Sequence, residues 1–395
     1  MQYPPCPMLN LFSLAVLKNY IPFPHAARAS ESLWGRGEGP FSDLEGGLSW
    51  LSPDLGTRAQ TLRQSRGGTK LFGFMMCFPD SPDSFKAVSD LMLSVFLVDD
   101  WIEQQGPDEA EQLAEWWRTI AIQSDAGVAF DAQRAFEALP PSLLADASMR
   151  KAGELCCSAL TYFLARAARV DPAWFGRFAW AIHEYAKAVA SEITAARSFL
   201  ETGTHPAVVE YFAYRCFSSA FIQLAVLAAL QQGLRLSDAR FAGARPLLVC
   251  ASLLACCFND AFVAAKDAAA GQTNLTKAVG TRCAVDMHNA LVDCLCEESE
   301  RWLEDATEGD DSQRFVDLLK ASTFGCNLWH NICPRYRKYL EVTCQPFGVI
   351  DGPNGLLSAG NGALKQEMRE LVHTLASSES SAPRFSNACE GIHLT

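Results

Sequence analysis

From Ala145 to the C-terminus, apolar residues recur with the 3.6-residue period of an α-helix, which leaves few folds open to the chain. Strand-like alternation is nearly absent. Glycines and Asp-Pro interrupt the periodic segments, at Asp171-Pro172, Gly203, Gly233, Gly271 and Gly309. This pattern predicts an all-α protein, one thick bundle whose central helices are apolar on most faces. The predicted helices span residues 145–170, 172–200, 206–232, 246–271, 282–305, 311–341 and 362–377.

The domain organisation follows from composition. Residues 1–45 are rich in Pro and Gly and predict an N-terminal extended arm. Residues 377–395 are rich in Ser and predict a disordered tail. We therefore expect residues 46–376 to form a single domain.

Ahead of the long helical region, three further segments are expected. Regular structure is predicted from near Ser49 to Cys77. A helix capped by Asp83 or Ser84 is predicted next, and Gly106-Pro107-Asp108 ends it. Another helix is predicted from about Glu109 to Ile122.

Charge and cysteine content exclude several classes of protein. The net charge of −12 argues against a nucleic-acid-binding surface. The fifteen cysteines are odd in number, form no CxxC pair and mostly lie in apolar runs. They predict small buried side chains in a reducing compartment rather than a zinc site.

Sequence features also favour a cytoplasmic location. The N-terminus lacks the basic segment of a secretory signal. We also expect no membrane insertion, since no run approaches the ~20 apolar residues that span a bilayer.

An acidic cluster ends the apolar run that starts near Phe85. Asp99 and Glu103 are four residues apart, so on a helix they share a face, with Asp100 beside them. Oxygen ligands of this kind suit Mg²⁺, and the cluster would then lie at the mouth of an apolar pocket. The alternative is a solvated helix end, and the motif alone does not decide between the two.

A second polar group lies at the end of another apolar helix. Asn259, Val263 and Asp267 recur at i, i+4 and i+8 and share a face, with Lys266 one position round. The amide and carboxylate oxygens could hold a second hard cation. Charge on an exposed helix surface is the alternative here.

These segments together resemble the class I terpene synthases of bacterial and fungal type. Asp99, Asp100 and Glu103 look like that family's aspartate-rich motif. The segment from Asn259 to Asp267 looks like its second metal motif, N-D-x-x-S-x-x-K-E. Arg215 with Ser218-Ser219 looks like the family's diphosphate-sensing arginine with its linker and effector positions. The segment from Trp329 to Arg335-Tyr336 looks like the family's C-terminal motif. The resemblance covers about residues 20–340.

The resemblance implies a single-domain helical bundle around a central apolar active-site cavity. It implies Mg²⁺, as three ions, with protein ligands at Asp99, Asp100, Glu103, Asn259 and Asp267. Substrate diphosphate would be bound by Arg215, Lys266, Arg335 and Tyr336, and the carbocation would be guided by Phe96, Trp329 and the effector position Ser219.

The implied activity is ionisation and cyclisation of a prenyl diphosphate to a terpene. Chain length and the single-domain layout favour a sesquiterpene from farnesyl diphosphate, with a diterpene from geranylgeranyl diphosphate as the alternative. The expected partner is this small molecule alone, bound by a monomer or homodimer.

Three features of the match are open or depart from the family. Ser218-Ser219 either breaks its helix, so that a carbonyl faces the substrate, or bonds to carbonyls one turn back and bends it. Instead of binding diphosphate, Arg215 could form a buried ion pair, with Glu210 or with a helix end as its partner. Val263 stands where the family has Ser or Thr, and Asp267 replaces a longer Glu.

Other functions fit less well. A chain-elongating prenyltransferase would need a second DDxxD, which is absent, and a protonation-initiated cyclase would need an Asp at Leu97. A non-catalytic isoprenoid-diphosphate binder with a degenerate second metal site has Val263 as its sole support.

Val263→Ser tests whether a hydroxyl belongs in the second metal motif. We expect turnover to be maintained, or raised at low Mg²⁺, because the serine restores an oxygen ligand. Turnover measured across a series of Mg²⁺ concentrations checks this. A large loss of turnover would show that no hydroxyl belongs at this position.

Overall fold

The computed structural model describes residues 77, 81–102, 106–125, 130–306, 310–332 and 362–377. Within these ranges the chain is helical and contains no strand, which confirms the all-α prediction. The expected arm at 1–45, almost all of the expected segment between Ser49 and Cys77, and residues 378–395 lie outside the described ranges.

Fourteen helices follow one another within the described ranges, and their bounds are α1 Pro82–Ile102, α2 Pro107–Asp125, α3 Ala132–Glu137, α4 Pro141–Ala145, α5 Ala147–Val170, α6 Ala173–Thr202, α7 Val208–Ser218, α8 Phe221–Gln231, α9 Asp238–Gly243, α10 Arg245–Ala270, α11 Leu275–Val279, α12 Thr281–Glu304, α13 Ser312–Ile332 and α14 Gly362–Ser377.

The long helices agree closely with the periodicity, and the differences have local causes. Residues 206–232 form two helices, α7 and α8, rather than one. The helix α1 is capped by neither Asp83 nor Ser84, because the Ser81 hydroxyl accepts a hydrogen bond from the Ser84 amide at 3.2 Å. The helix predicted over 311–341 is described as far as Ile332.

Four short helices were not predicted: α3, α4, α9 and α11. Each has only five or six residues, too few for a helical period to show in the sequence. Their starts carry visible signals: Asp131, Ser237 and Asn274 each accept a hydrogen bond from the backbone as N-caps.

The long helix α10 forms the centre of the bundle. Every residue from Leu247 to Ala264 is buried except Asn259, which is half-buried. The helices α7, α8, α12, α13 and α14 pack around it. On the other side, α1 packs on α5 and α2 packs on α6. A helix surrounded in this way must be apolar on nearly all faces, as the sequence predicted.

Two stretches are long and apolar enough to cross a membrane, so the expectation that no such run exists was wrong by length and composition. They are Val208–Gln231, which contains the break between α7 and α8, and Arg245–Ala264, in α10. They are 78% and 94% buried inside the protein, respectively, and the core helices of soluble proteins pass the same test. Their apolar character is accounted for by packing in the bundle.

The cysteines in the described ranges are all free thiols. Nine of the eleven are buried, among them Cys156-Cys157 and Cys256-Cys257. Burial raises the pKa of each of these four thiols, which keeps them protonated and unreactive. They act as small apolar side chains, as predicted.

Gly153→Ala tests the packing of α5, the helix that supports α1. A Cβ at this position would lie 2.3 Å from Leu139 Cδ1 and 3.3 Å from Phe136 Cδ2. Overpacking of this kind costs ~1–3 kcal/mol, so we expect a lower free energy of unfolding in a urea titration. Gly176→Ala on α6 is the control: its closest contact is the side chain of Asp125, and the gain in helix propensity should maintain or raise stability. Equal stability of the two variants would contradict this packing.

Candidate active site

A central cavity opens between α1, α6, the α7–α8 junction, α10 and α13. Its apolar lining includes Met92, Val95, Phe96 and Phe221. Charged and amide groups meet the same space from four helices and the segment after α10, and they are Asp99, Glu192, Arg215, Asn259, Lys266, Asp267 and Gln272. Apolar side chains and convergent polar groups around one cavity are the arrangement expected of a small-molecule site.

Helix α1 brings an apolar ring and a carboxylate to the same face. Met92, Phe96 and Asp99 follow at helical spacing and all line the cavity, with Met92 buried, Phe96 half-buried and Asp99 exposed. Burial, followed by the nearby charge of Asp99, raises the pKa of Tyr185, so this cavity-lining phenol stays neutral. Asp100 is half-buried and does not line the cavity, and Glu103 lies outside the described residues.

Helix α10 presents the second predicted group as expected from its spacing. Asn259, Val263 and Asp267 share one face and all line the cavity, as does Lys266. Val263 is only 4% exposed, so its methyl groups occupy the place between the two oxygen-bearing side chains. Burial raises the pKa of the Asp267 carboxyl to about 7, although the neighbouring charge of Lys266 lowers it.

Asp267 and Asp260 are held by one residue that the sequence did not suggest. Asn274, the N-cap of α11, donates one amide hydrogen to Asp267 Oδ2 at 2.8 Å and the other to the Asp260 carbonyl at 2.9 Å. Its own side-chain oxygen accepts from the Lys277 amide. A capping Asn is visible in sequence, but its contacts with α10 depend on the turn of the chain at Gly271, where φ is +70°.

Arg215 reaches the cavity from α7, and its hydrogen-bond partners do not include Glu210. It donates to Glu192 Oε1 at 3.2 Å, to Asn259 Oδ1 at 3.1 Å and to Asp260 Oδ1 at 3.5 Å. Glu210 instead accepts from the Ala207 amide at the start of α7, so Arg215 forms its ion pairs with Glu192 and Asp260 rather than with Glu210. Burial alone would lower the pKa of Arg215, but the acidic neighbours raise it and keep the guanidinium charged.

His330 links α13 to the same group. Its Nδ1 lies 2.8 Å from the Cys326 carbonyl oxygen, and its Nε2 lies 2.8 Å from Asn259 Nδ2. The ring is buried and lines the cavity, and burial lowers the pKa of His330 to about 4. No role in the site was predicted for His330 from the sequence, although its position one turn after Cys326 in an apolar helix was visible there.

The helix break after Ser218 decides between the two interpretations left open by the sequence. Ala220 has φ +60°, and its amide bonds to the Phe217 carbonyl instead of continuing the α-helix. The Cys216 carbonyl, its normal helical partner, accepts from the Ser252 hydroxyl of α10 at 2.5 Å. Ser219 Oγ lies 3.0 Å from the same hydroxyl. The helix is therefore broken rather than bent, and Ser218 and Ser219 both line the cavity.

The remaining predicted residues lie where the structure is not described. The backbone of Trp329 belongs to α13, but its side chain is outside the described residues, as are Arg335 and Tyr336. Within the described part, the cavity brings together Phe96, Asp99, Arg215, Ser219, Asn259, Lys266 and Asp267.

The donor set fits a hard cation, with one gap. Asp99, Asn259 and Asp267 offer oxygen atoms, the ligands that Mg²⁺ prefers. Arg215 Nε and Ser218 Oγ are buried without a hydrogen-bond partner in the described structure, and both residues line the cavity, which is consistent with a polar ligand there. No cluster of three His, Cys, Asp or Glu side chains able to hold a metal occurs in the described ranges, and Val263 adds no oxygen between Asn259 and Asp267.

Comparisons with known proteins point to one family. The family model described as terpene synthase family 2, C-terminal metal binding, matches residues 90–308. Among solved structures, a mutant of the SVS_A2 protein from ancestral sequence reconstruction superposes with a TM-score of 0.51 at 16% identity, over 79% of this chain and 84% of that one. This likeness shows the fold. No curated protein matches the chain.

Ala220→Gly tests the left-handed residue in the helix break. A non-glycine residue in this conformation costs ~1–2 kcal/mol, which glycine relieves. The lost buried methyl costs ~0.8 kcal/mol. We therefore expect a free energy of unfolding close to that of the wild type.

The matched control is Ala165→Gly, at an exposed position inside α5. There the same change lacks any strain to relieve and should lower stability by ~1 kcal/mol. Urea titrations of both variants make the comparison. Equal losses would mean that Ala220 is not strained.

Proposed function

The chain belongs to the terpene synthase family, and we propose that it is a Mg²⁺-dependent terpene cyclase that ionises a prenyl diphosphate, releases diphosphate and folds the carbocation into a cyclic product. The observation that carries the proposal is the meeting of Asp99, Arg215, Asn259 and Asp267 at one cavity that is also lined by apolar side chains such as Met92, Val95, Phe96 and Phe221.

The metal-binding role is assigned to the residues of both motifs. Asp99 would hold Mg²⁺ on one side of the cavity, and Asp100 and Glu103 are assigned to the same site by the motif they share with it. Asn259 and Asp267 would hold Mg²⁺ on the other side, with three ions in all. Bound there, Mg²⁺ would neutralise the charge of the departing diphosphate as a Lewis acid. The description of the matched family as metal binding supports use of a divalent metal.

The cations of the chain would bind the diphosphate oxygens. Arg215 already donates to three oxygen acceptors of the protein, so its guanidinium is charged and oriented before an anion arrives. Lys266 lines the same cavity. Arg335 and Tyr336 complete the set by their place in the C-terminal motif. Removing one preorganised donor of this kind typically costs ~10²–10³ in rate.

The apolar walls would exclude water and steer the carbocation. Phe96 lies one helical turn before Asp99 and lines the cavity with it. Its ring can stabilise positive charge by ~0.5–2 kcal/mol without attacking it as a nucleophile. We assign the same role to Trp329. Ser219, at the broken end of α7, is the effector position next to the reacting carbon.

The substrate we propose is farnesyl diphosphate, which gives a sesquiterpene, and geranylgeranyl diphosphate is the alternative. The length of the chain and its layout as one domain over residues 46–376 favour the shorter substrate. We further propose that the enzyme acts in the cytoplasm as a monomer or homodimer, without stable membrane insertion and without a nucleic-acid partner.

Asp99→Ala is the test of this function. The full chain is incubated with Mg²⁺ and the C10, C15 or C20 prenyl diphosphate, and products are identified by gas chromatography and mass spectrometry. We expect a cyclic product with the wild type, above all from the C15 substrate. The variant should lose turnover with all three substrates, because it lacks a metal ligand at the cavity.

Asp90→Ala is the matched control. Asp90 lies on the same helix but does not line the cavity and pairs with Lys86 at 2.6 Å, so this change should retain turnover. Retained turnover in Asp99→Ala would overturn the metal assignment. A wild type that binds diphosphate with Mg²⁺ but forms no product would favour the non-catalytic binder.

A further inference from the structure

We propose that His330 is a positioning residue that holds the side chain of Asn259 with its oxygen directed away from α13 and available as a ligand. The proposal rests on the proposed function, since Asn259 is assigned there as a metal ligand. It concerns the metal affinity of the site rather than the chemical step.

The direction of each hydrogen bond follows from the chemistry of its partner. The Cys326 carbonyl oxygen can only accept, so His330 Nδ1, 2.8 Å away, carries the hydrogen. A neutral imidazole then has an unprotonated Nε2, which accepts from Asn259 Nδ2 at 2.8 Å. The helix α13 thereby selects one tautomer of His330.

The contact of Arg215 with the oxygen end of the Asn259 amide requires the same orientation independently. A guanidinium can only donate, so the Asn259 atom 3.1 Å from Arg215 Nη2 is the carbonyl oxygen. If the amide were turned over, its NH₂ would face Arg215. His330 and Arg215 therefore require the same orientation of Asn259, one through its nitrogen and the other through its oxygen.

This restraint matters because the second metal motif has lost a ligand. Val263 supplies no oxygen, so Asn259 and Asp267 are the two ligands left on this side of the cavity. Asp267 is held by Asn274 at 2.8 Å, and Asn259 is held by His330. Replacing a residue that orients a metal ligand typically lowers metal affinity or activity by ~10–100-fold.

Two substitutions of His330 separate its two hydrogen bonds. The amide of His330→Asn occupies the place of Nδ1, so it can donate to the Cys326 carbonyl but does not reach Asn259. The amide of His330→Gln extends to the place of Nε2 and can accept from Asn259. We expect His330→Asn to raise the half-saturating Mg²⁺ concentration ~10-fold or more, and His330→Gln to recover most of that loss.

The measurement does not depend on turnover. Thermal unfolding of the full chain is followed at fixed inorganic diphosphate over a series of Mg²⁺ concentrations, and the half-saturating concentration is read from the rise in Tm. His288→Asn is the matched control, because His288 is also a buried ring near Phe258 but does not line the cavity. It should lower the Tm without metal and leave the Mg²⁺ dependence unchanged.

A double-mutant cycle tests whether His330 acts through Asn259. In an Asn259→Ala background, His330→Asn should add no further shift in the Mg²⁺ dependence, whereas a purely structural role would give additive shifts. An additive result overturns the proposal. So does a half-saturating Mg²⁺ concentration in His330→Asn within twofold of the wild type.

The outcomes also distinguish this proposal from the proposed function. Suppose that Mg²⁺ and diphosphate stabilise the wild type and that the His330 variants shift the half-saturating Mg²⁺ concentration as expected, but that no terpene forms. This result would overturn the catalytic function alone. Terpene formation by the wild type, together with an unchanged half-saturating Mg²⁺ concentration in His330→Asn, would overturn the positioning role alone. No stabilisation of the wild type by Mg²⁺ and diphosphate would overturn both.

Discussion

The neutralisation of Asp260 in the core is the interaction on which the site depends. This side chain is fully buried on α10. A buried carboxylate without partners would be strongly unfavourable. The Tyr211 hydroxyl and the Leu275 amide both donate to its Oδ2, and Arg215 lies 3.5 Å from its Oδ1. Three helices, α7, α10 and α11, are therefore joined at one charge, and this fixes the polar end of an otherwise apolar helix.

Under the proposed function, that junction would hold Arg215 in place to bind an anion. Its side chain makes hydrogen bonds with Glu192, Asn259 and Asp260, so it does not require reorganisation to face the cavity. Binding of a diphosphate would exchange some of these protein oxygens for phosphate oxygens, at little cost in side-chain entropy. Orientation before binding is what makes electrostatic groups effective in catalysis.

The sequence predicted the parts of the site that depend on helical spacing. Phe96 with Asp99, and Asn259 with Val263 and Asp267, share faces because residues three or four apart lie one turn apart, and no other part of the chain is needed. The contacts of Glu192, Asn274, Ser252 and His330 could not be predicted in this way. Each of these contacts joins two different elements of the fold, and adjacency of this kind is set by packing around α10.

The break between α7 and α8 shows the same limit. Ser218-Ser219 marked a disturbance of the helix, but serines in a helix are compatible with either a bend or a break. The outcome depends on Ser252, a buried polar side chain on α10 that takes over the Cys216 carbonyl. A local pattern can thus indicate that a helix is disturbed, whereas the kind of disturbance is decided by the neighbouring helix.

Val263 makes the orientation of its neighbours more important. A cation bound by many ligands tolerates error in one of them, because the others fix its place. If Asn259 and Asp267 bind a metal as we propose, the apolar side chain between them leaves their two oxygens to be oriented by the protein. The structure has such a support for both: Asn274 for Asp267 and His330 for Asn259. These two side chains come from outside α10, so under the proposed function the fold would compensate for the ligand that the motif lacks.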